Sequence, residues 1–487
     1  MRIHSKLIVL LFFSLIAGLG MLSCKKMVTV PQPITNITTA QVFTTNAQAT
    51  AAMAGVYTYM INTSALTFGN GYASILGGLS ADELLYNGTT DAHMVGLGTN
   101  QLLQNNSYTT SVWTTAYKVI YNANAVIEGI EAAVSDALTD SVRKVLTGEA
   151  KFVRALSYFY LTNLFGDVPL VLTVDFNQTR YMTRTPVNDV YRQIIQDLKE
   201  AQSLLAANYP VPATGPVERV IPNKWAATAM LARVYLYRKD YANAAAEATA
   251  VISNVSMYSL ENNPNNVFLP ASKEAIWQLK QGTNHTLYKN ATQEGYNFLP
   301  SPLRTGVARY WLTASLLNAF EPGDRRRKDW VDSTNFGGAG YNYFPYKYKS
   351  GAHNSVANVS PTEYYTVLRL AEMYLIRAEA TAHGANGGVN AAITDLNVIR
   401  TRAVLPALPT SLTAEQALAA VAHERQTELF AEWGHRWLDL KRTGRAHDVL
   451  SIIPNKQPWA GDYQLLYPIP PVEITVNPRL VQNIGYN

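Results

Sequence analysis

Thr228-x-x-Leu231-Ala232-x-x-Tyr235, with Ala244 nine residues past the tyrosine, constrains this chain more than any other stretch. Small and apolar residues recur there at three- and four-residue steps, which predicts two helices. The small side chains let the pair approach closely. The first half of the pattern returns at Val367-x-x-Leu370-Ala371-x-x-Tyr374, and Ala155-x-x-Tyr158 is a weaker echo. A chain built this way is expected to stack helix pairs against one another.

The pattern follows that of tetratricopeptide repeats, but its copies do not fall at the fixed period of about 34 residues. The expectation is an all-α fold, a tetratricopeptide-like helix-pair scaffold with long loop-rich insertions. Further helices are expected from Thr45-Asn46, from Trp113 through Tyr117 and Tyr121, over about 141–165, over 188–206 and from Pro222-Asn223-Lys224-Trp225, with Trp113 in the core. Between residues 62 and 106, and again over 282–360, periodicity gives way to Gly, Asn, Ser, Thr and aromatic residues. Both stretches read as loops, and loops held by a rigid scaffold commonly carry function.

At 487 residues the chain exceeds the usual size of one core, yet no Ser/Gly-rich or highly charged linker divides it. Its charged share, 15%, is low against a typical quarter, and 29 tyrosines call for a surface that is uncharged-polar and aromatic. A net charge of +5, scattered except at Arg325-Arg326-Arg327-Lys328, excludes a nucleic-acid footprint. One cysteine excludes an internal disulfide and a cysteine-based metal cluster. Eight histidines stand at no ligand spacing, and no phosphate loop, His-Glu-x-x-His or Gly-x-Ser-x-Gly motif occurs. No metal or cofactor is expected.

At the N-terminus, Arg2, His4 and Lys6 precede an apolar run over 7–22 that ends at Ser23-Cys24. This is the head and centre of a signal peptide, and the run is short for a membrane span of about 20 residues. A small residue before Cys24 resembles the site cut by lipoprotein signal peptidase. The expected organisation is a lipoprotein signal peptide (1–23), a lipidated extended tether rich in proline and threonine (24–45), and one α-helical domain with ligand-binding loops (46–487). Acyl chains on Cys24 would anchor the protein to a membrane without spanning it.

Near the C-terminus, Glu424, Glu428, Glu432 and Arg436 stand four residues apart beside an apolar set including Leu418, Val421, Leu429, Trp433 and Trp437. The spacing predicts one helix bearing an ionic row. Two readings are open: a row of catalytic carboxylates with His435 and Arg425 among them, or a structural ion network. The string Glu424-Arg425-x-x-Glu428-Leu429-x-x-Glu432-x-Gly434-x-Arg436-Trp437-x-Asp439-Leu440-x-Arg442-Thr443-Gly444 resembles the C-terminal signature of the SusD/RagB outer-membrane lipoproteins. Phe43-Thr44-Thr45, Gly55-Val56-Tyr57, Leu164-Phe165-Gly166-Asp167-Val168-Pro169-Leu170, the Phe320 to Arg326 turn and the tail from Tyr467 to Tyr486 resemble the same family.

The resemblance implies a non-catalytic, glycan-binding protein at the outer membrane, exposed at the cell surface. It also implies a partner, a SusC-like TonB-dependent transporter that receives the captured oligosaccharide. Aromatic side chains in polar loops suit a sugar, whose apolar ring face stacks on Trp or Tyr while amides, carboxylates and guanidinium groups bond its hydroxyls. Composition and position nominate Trp311, Tyr296, Tyr341 and Tyr343 as stacking platforms and Asp82, Asn87 and Arg309 as hydroxyl partners. Packing of a long loop is the competing role for each tyrosine. Two other functions stay open: a repeat scaffold that holds a peptide, and a glycoside hydrolase using carboxylates such as Asp82 and Glu83 or Glu321 and Asp324.

Overall fold

The structure, a computed structural model, describes residues 42–62, 67–338 and 340–486. The expected signal peptide, Cys24 and nearly all of the tether lie outside the described residues. The scaffold helices are α1 (Asn46–Asn62), α2 (Tyr72–Ser80), α3 (Ala92–Thr99), α4 (Ser107–Ala132), α5 (Asp140–Phe165), α6 (Val187–Leu204), α7 (Lys224–Tyr237), α8 (Tyr241–Ile252), α9 (Leu370–Ala382), α10 (Gly388–Arg402), α11 (Ala414–Glu428) and α12 (His435–Arg442). From α4 to α10 each packs on the next, and α11 closes against α9 and α10. Strands are few and short: β1 (Leu84–Tyr86) pairs with β3 (Tyr310–Leu312), β2 (Ala275–Leu279) with β6 (Tyr365–Arg369), and β4 (Val331–Thr334) with β5 (Asn342–Pro345), all antiparallel.

The first helix pair expected from the small-residue pattern is α7 with α8. The Asn223 side chain accepts the Ala226 N–H (3.0 Å) and starts α7, and Ala226, Ala227, Ala229 and Ala232 are wholly buried where neighbouring helices approach. Asp240 accepts the Asn243 N–H (3.3 Å) and starts α8, whose Ala244 is also wholly buried. In the half copy, Leu370-Ala371-x-x-Tyr374 opens α9, which packs on α10, while Val367 lies on β6. Trp113 lies in the core, edge-on to Phe165 at 5.0 Å.

Two expectations are corrected. Neither stretch expected as loop is simply loop: residues 62–106 hold α2, β1 and α3, and 282–360 hold β3, β4, β5 and the short helices Gln293–Phe298, Ala314–Ala319 and Arg325–Trp330. Every residue of α2 is buried, so it lacks the polar face that a helical period needs in order to show. The ionic row is not on one helix either. After Glu428 the chain turns through Ala431 (φ 51°), Trp433 (φ 49°) and Gly434 (φ 68°) before α12 begins. That turn is held by the buried Trp433, whose backbone N–H donates to Ser74 Oγ (2.6 Å) and whose ring N–H donates to the Thr366 carbonyl (2.8 Å).

The row's partners consequently come from elsewhere in the chain. Arg400 and Arg326 hold Glu424 at 2.7 and 2.8 Å, and Arg369, Arg402 and Arg326 converge on Glu428. Arg369 and Lys347 hold Glu432. Arg436 makes a two-point bond to Asp82 at 2.7 and 2.9 Å. Burial alone would raise the Glu428 carboxyl, but the three arginines hold it well below the ordinary carboxylate range. The ions thus tie α10, α11, β6 and the segment before β4 into one frame.

Candidate functional site

β1 and β3 join two parts of the chain that sequence alone keeps apart. Their register sets Tyr86 opposite Tyr310 and Leu85 opposite Trp311. Side chains alternate along a strand, so the two tyrosines share one face and Leu85 shares the other with Trp311. On the tyrosine face the Arg309 guanidinium lies over Tyr86 (5.8 Å) and Tyr310 (5.6 Å), and it is 3.9 Å from Asp91. Asn87 fixes this edge by donating from its backbone to the Arg309 carbonyl (2.9 Å) and from its side chain to the Ala308 carbonyl (3.2 Å).

Asp91 starts α3 by accepting the His93 and Met94 N–H groups at 3.1 and 3.2 Å, and it also accepts the Tyr108 hydroxyl at 2.6 Å. Burial works to raise its pKa, yet these hydrogen bonds and the Arg309 charge hold it below the usual carboxylate range. Tyr108 stacks on Tyr72 (6.1 Å), and His93 bonds Ser107 Oγ through Nδ1 (2.7 Å). Burial pushes the Tyr72 hydroxyl up to about 12, with Arg309, Tyr288 and Asp91 near enough to contribute. Tyr288 in turn stacks on His285 (3.5 Å) and meets Tyr296 edge-on at 5.9 Å. The result is a run of aromatic rings in which Tyr72, Tyr288 and Tyr310 are buried while Tyr86, Tyr108 and Tyr296 are part-exposed beside a half-exposed guanidinium and a carboxylate.

Of the residues nominated from sequence, Asn87, Arg309 and Tyr296 come together around this patch. Trp311 faces the other way, half-buried against the small cluster of Leu299, Ala308 and Phe344, with its ring N–H donated to the Ala308 carbonyl (3.0 Å). Tyr343 lies on β5 under the Arg327 guanidinium (4.5 Å), and Tyr341, just before that strand, is 66% exposed. Asp82 is a correction: its side chain is buried and bound to Arg436 and to the Ser315 hydroxyl (2.9 Å), so it braces the frame and cannot meet a ligand. Sequence reasoning missed Tyr86, Asp91, Tyr108 and Tyr72. The one available signal was Asp91 directly before an apolar helical run, a helix-start pattern.

The other nominated carboxylates are also engaged. Glu321 takes the Arg400 guanidinium (2.6 Å) and Asp324 takes that of Arg326 (2.8 Å). Glu321, His423 and Glu424 are close enough to share a metal ion, but Arg400 already bridges the two carboxylates. Glu83 is buried beside Asp82, and burial together with the Asp82 charge pushes its carboxyl up to about 8. A folded-state pKa above the unfolded value contributes stability below the unfolded value, which is lost as pH rises to about 8. Glu83→Gln is therefore expected to reduce the fall in melting temperature between about pH 5 and about pH 8. An unchanged slope would assign that proton elsewhere.

Two family models match this chain: one described as starch-binding associating with outer membrane, over residues 41–236, and the SusD family model, over 331–486. The chain belongs to the SusD/RagB family. SusD-like protein P2 of Formosa agariphila is 28% identical over 426 residues, covering 78% of this chain and 80% of the relative. A SusD-like protein of Bacteroides ovatus is 25% identical, covering 67% of this chain and 64% of its own. Among solved structures, a SusD superfamily protein from Bacteroides vulgatus superposes with a TM-score of 0.75 at 21% identity, over 90% of this chain and 99% of that one. A laminarin binding SusD-like protein superposes with a TM-score of 0.73 at 24% identity, over 91% of this chain and 100% of that one. These likenesses show the SusD fold. Among the described residues of this SusD/RagB protein no helix is long and apolar enough to cross a membrane.

Proposed function

We propose that the chain captures oligosaccharide on the Tyr86, Arg309 and Tyr108 patch, without catalysing a reaction. As a lipid-anchored protein at the outer-membrane surface, it would hand that sugar to a SusC-like, TonB-dependent transporter. The observation that carries the reading is the half-exposed Arg309 guanidinium beside Asp91 and the part-exposed Tyr86 and Tyr108 rings, an aromatic edge with hydroxyl-bonding groups next to it. Supporting it are the outer-membrane family model and the laminarin-binding protein of the same fold. Cys24, outside the described residues, supplies the proposed anchor.

A peptide-holding scaffold has one observation in its favour. A cleft of about 410 Å³ lies on the repeat helices, between the stacked Tyr241 and His383 (4.2 Å) and the α11 residues Leu418 and Val421. Titrating the purified full chain calorimetrically with neutral oligosaccharides and with unfolded peptides separates the two. Sugar binding supports capture. Peptide binding with no sugar bound would overturn it.

A further inference from the structure

A second cleft, of about 760 Å³, opens where the C-terminal end of α5, the first turn of α6, the end of α7, α12 and the C-terminal tail meet. Its charges differ from those of the frame. Most buried arginines elsewhere, Arg154, Arg233 and Arg369 among them, are matched by a carboxylate within 2.9 Å, with Arg219, which bonds the Ala275 and Met257 carbonyls, an exception. In this cleft Arg184, Arg238 and Lys441 have no carboxylate partner among the described residues. Arg184 spends its donors on neutral acceptors: the Asp167 carbonyl (2.7 Å), the Val481 carbonyl (2.9 Å) and Asn483 Oδ1 (2.5 Å). Arg238 is exposed and lies over the Tyr191 ring at 5.1 Å. Lys441 Nζ donates only to the Asn163 carbonyl (2.5 Å), and burial pushes it down to about 7.

Asp167 is the one acidic residue in the lining, and it is occupied by the Val187 N–H at the start of α6 (2.9 Å). Arg442 adds no net charge, since Glu379 and Asp439 hold it. Arg184 and Arg238 against Asp167 leave the cleft positive, Lys441 adds charge as pH falls below about 7, and the surrounding protein makes that charge act more strongly than on a flat surface. Tyr191 and Tyr463 line it, together with the Gln482 amide. Its volume lies within the range of about 300–1,000 Å³ usual for small-molecule sites. An inorganic anion would leave those rings unused.

We propose that this cleft is a second saccharide site, selective for acidic sugars, in which Lys441 and Arg238 hold the anionic group and the part-exposed Tyr463 faces the ring. It rests on the reading of the chain as a sugar-binding protein but uses none of the residues of the Arg309 patch. The test is calorimetric titration of the full chain with galacturonic acid trimer, a sulfated trisaccharide, a neutral trisaccharide of matched linkage, and inorganic phosphate. An acidic trimer is expected to bind, the carboxylated and sulfated probes distinguishing which acid is preferred. Lys441→Gln and Arg238→Gln are each expected to weaken it about tenfold, the effect of losing one charged hydrogen bond. Neither substitution should change the affinity for the neutral trisaccharide by more than about twofold, so failure at one site is read separately from failure at the other. The exposed Arg238 keeps the test open if Lys441→Gln does not fold. Arg238→Gln weakening the neutral trimer as much as the acidic one, unchanged affinity for the acidic trimer in Arg238→Gln, or phosphate binding as tightly as the trimer would each overturn the proposal.

Discussion

Arg369→Met is expected to destabilise the protein by about 3–5 kcal/mol at neutral pH, the range for stranding a buried ionic partner. Arg369 is 2% exposed and bonds three carboxylates at once, Glu274 at 2.9 Å, Glu428 at 2.6 Å and Glu432 at 2.8 Å. Methionine keeps much of the volume and none of the charge, so packing loss is small beside the electrostatic term. Arg402, Arg326 and Lys347 remain, but they leave an excess of buried negative charge. Two consequences follow from that excess. Part of the loss should return on acidification, as a carboxyl takes up a proton, and Glu432→Gln in the same chain should partly restore stability. Urea unfolding at two pH values measures both. A loss below about 1 kcal/mol, the size of a surface ion pair, would show that the network does not hold the frame.

Gly434→Ala is the second large effect, at about 3–5 kcal/mol. Gly434 lies at φ 68°, and a Cβ there would sit 2.8 Å from the Ala73 carbonyl oxygen and 3.4 Å from the Gly77 Cα. Both obstacles are backbone of α2, which cannot rotate away. Gly77→Ala meets the same contact from the other side, at 2.5 Å from the Gly434 Cα, without any positive φ. Gly444 supplies the control: its φ is 73°, but nothing lies within 4 Å of its Cβ position, so Gly444→Ala should lose only about 1 kcal/mol from backbone strain. Equal losses at Gly434 and Gly444 in thermal unfolding would mean that the close approach of α12 to α2 contributes nothing.

These same elements mark where the sequence could and could not be read. The α7 and α8 pair was legible because Asn223, Ala232 and Ala244 act locally, through a cap and through close approach. The break after Glu428 was not, because the four-residue spacing continues through it. The turn that ends the helix is held by contacts far along the chain, Trp433 with Ser74 and Gly434 close against Gly77, each more than three hundred residues earlier. Asp82 was read as a ligand group for the same reason, its Arg436 partner lying 354 residues away. The site was half legible. Asn87 and Arg309 were nominated as polar residues in loops that the structure brings to the proposed site, but Tyr86 and Asp91 join them only when β1 pairs with β3, which local periodicity does not report. Trp311 was chosen for its ring, and strand alternation turned that ring to the packed side.

The division between frame and site makes Arg309 the most informative residue. Its side chain is 44% exposed and its nearest carboxylate is 3.9 Å away, so its removal should spare the fold. The decisive measurement is the affinity of Arg309→Ala for a neutral oligosaccharide that the wild-type chain binds, with melting temperature recorded on the same samples. A roughly tenfold loss of affinity at unchanged melting temperature is predicted, the effect of losing one charged hydrogen bond to the sugar. Wild-type affinity in the folded variant would place the sugar elsewhere and contradict the account.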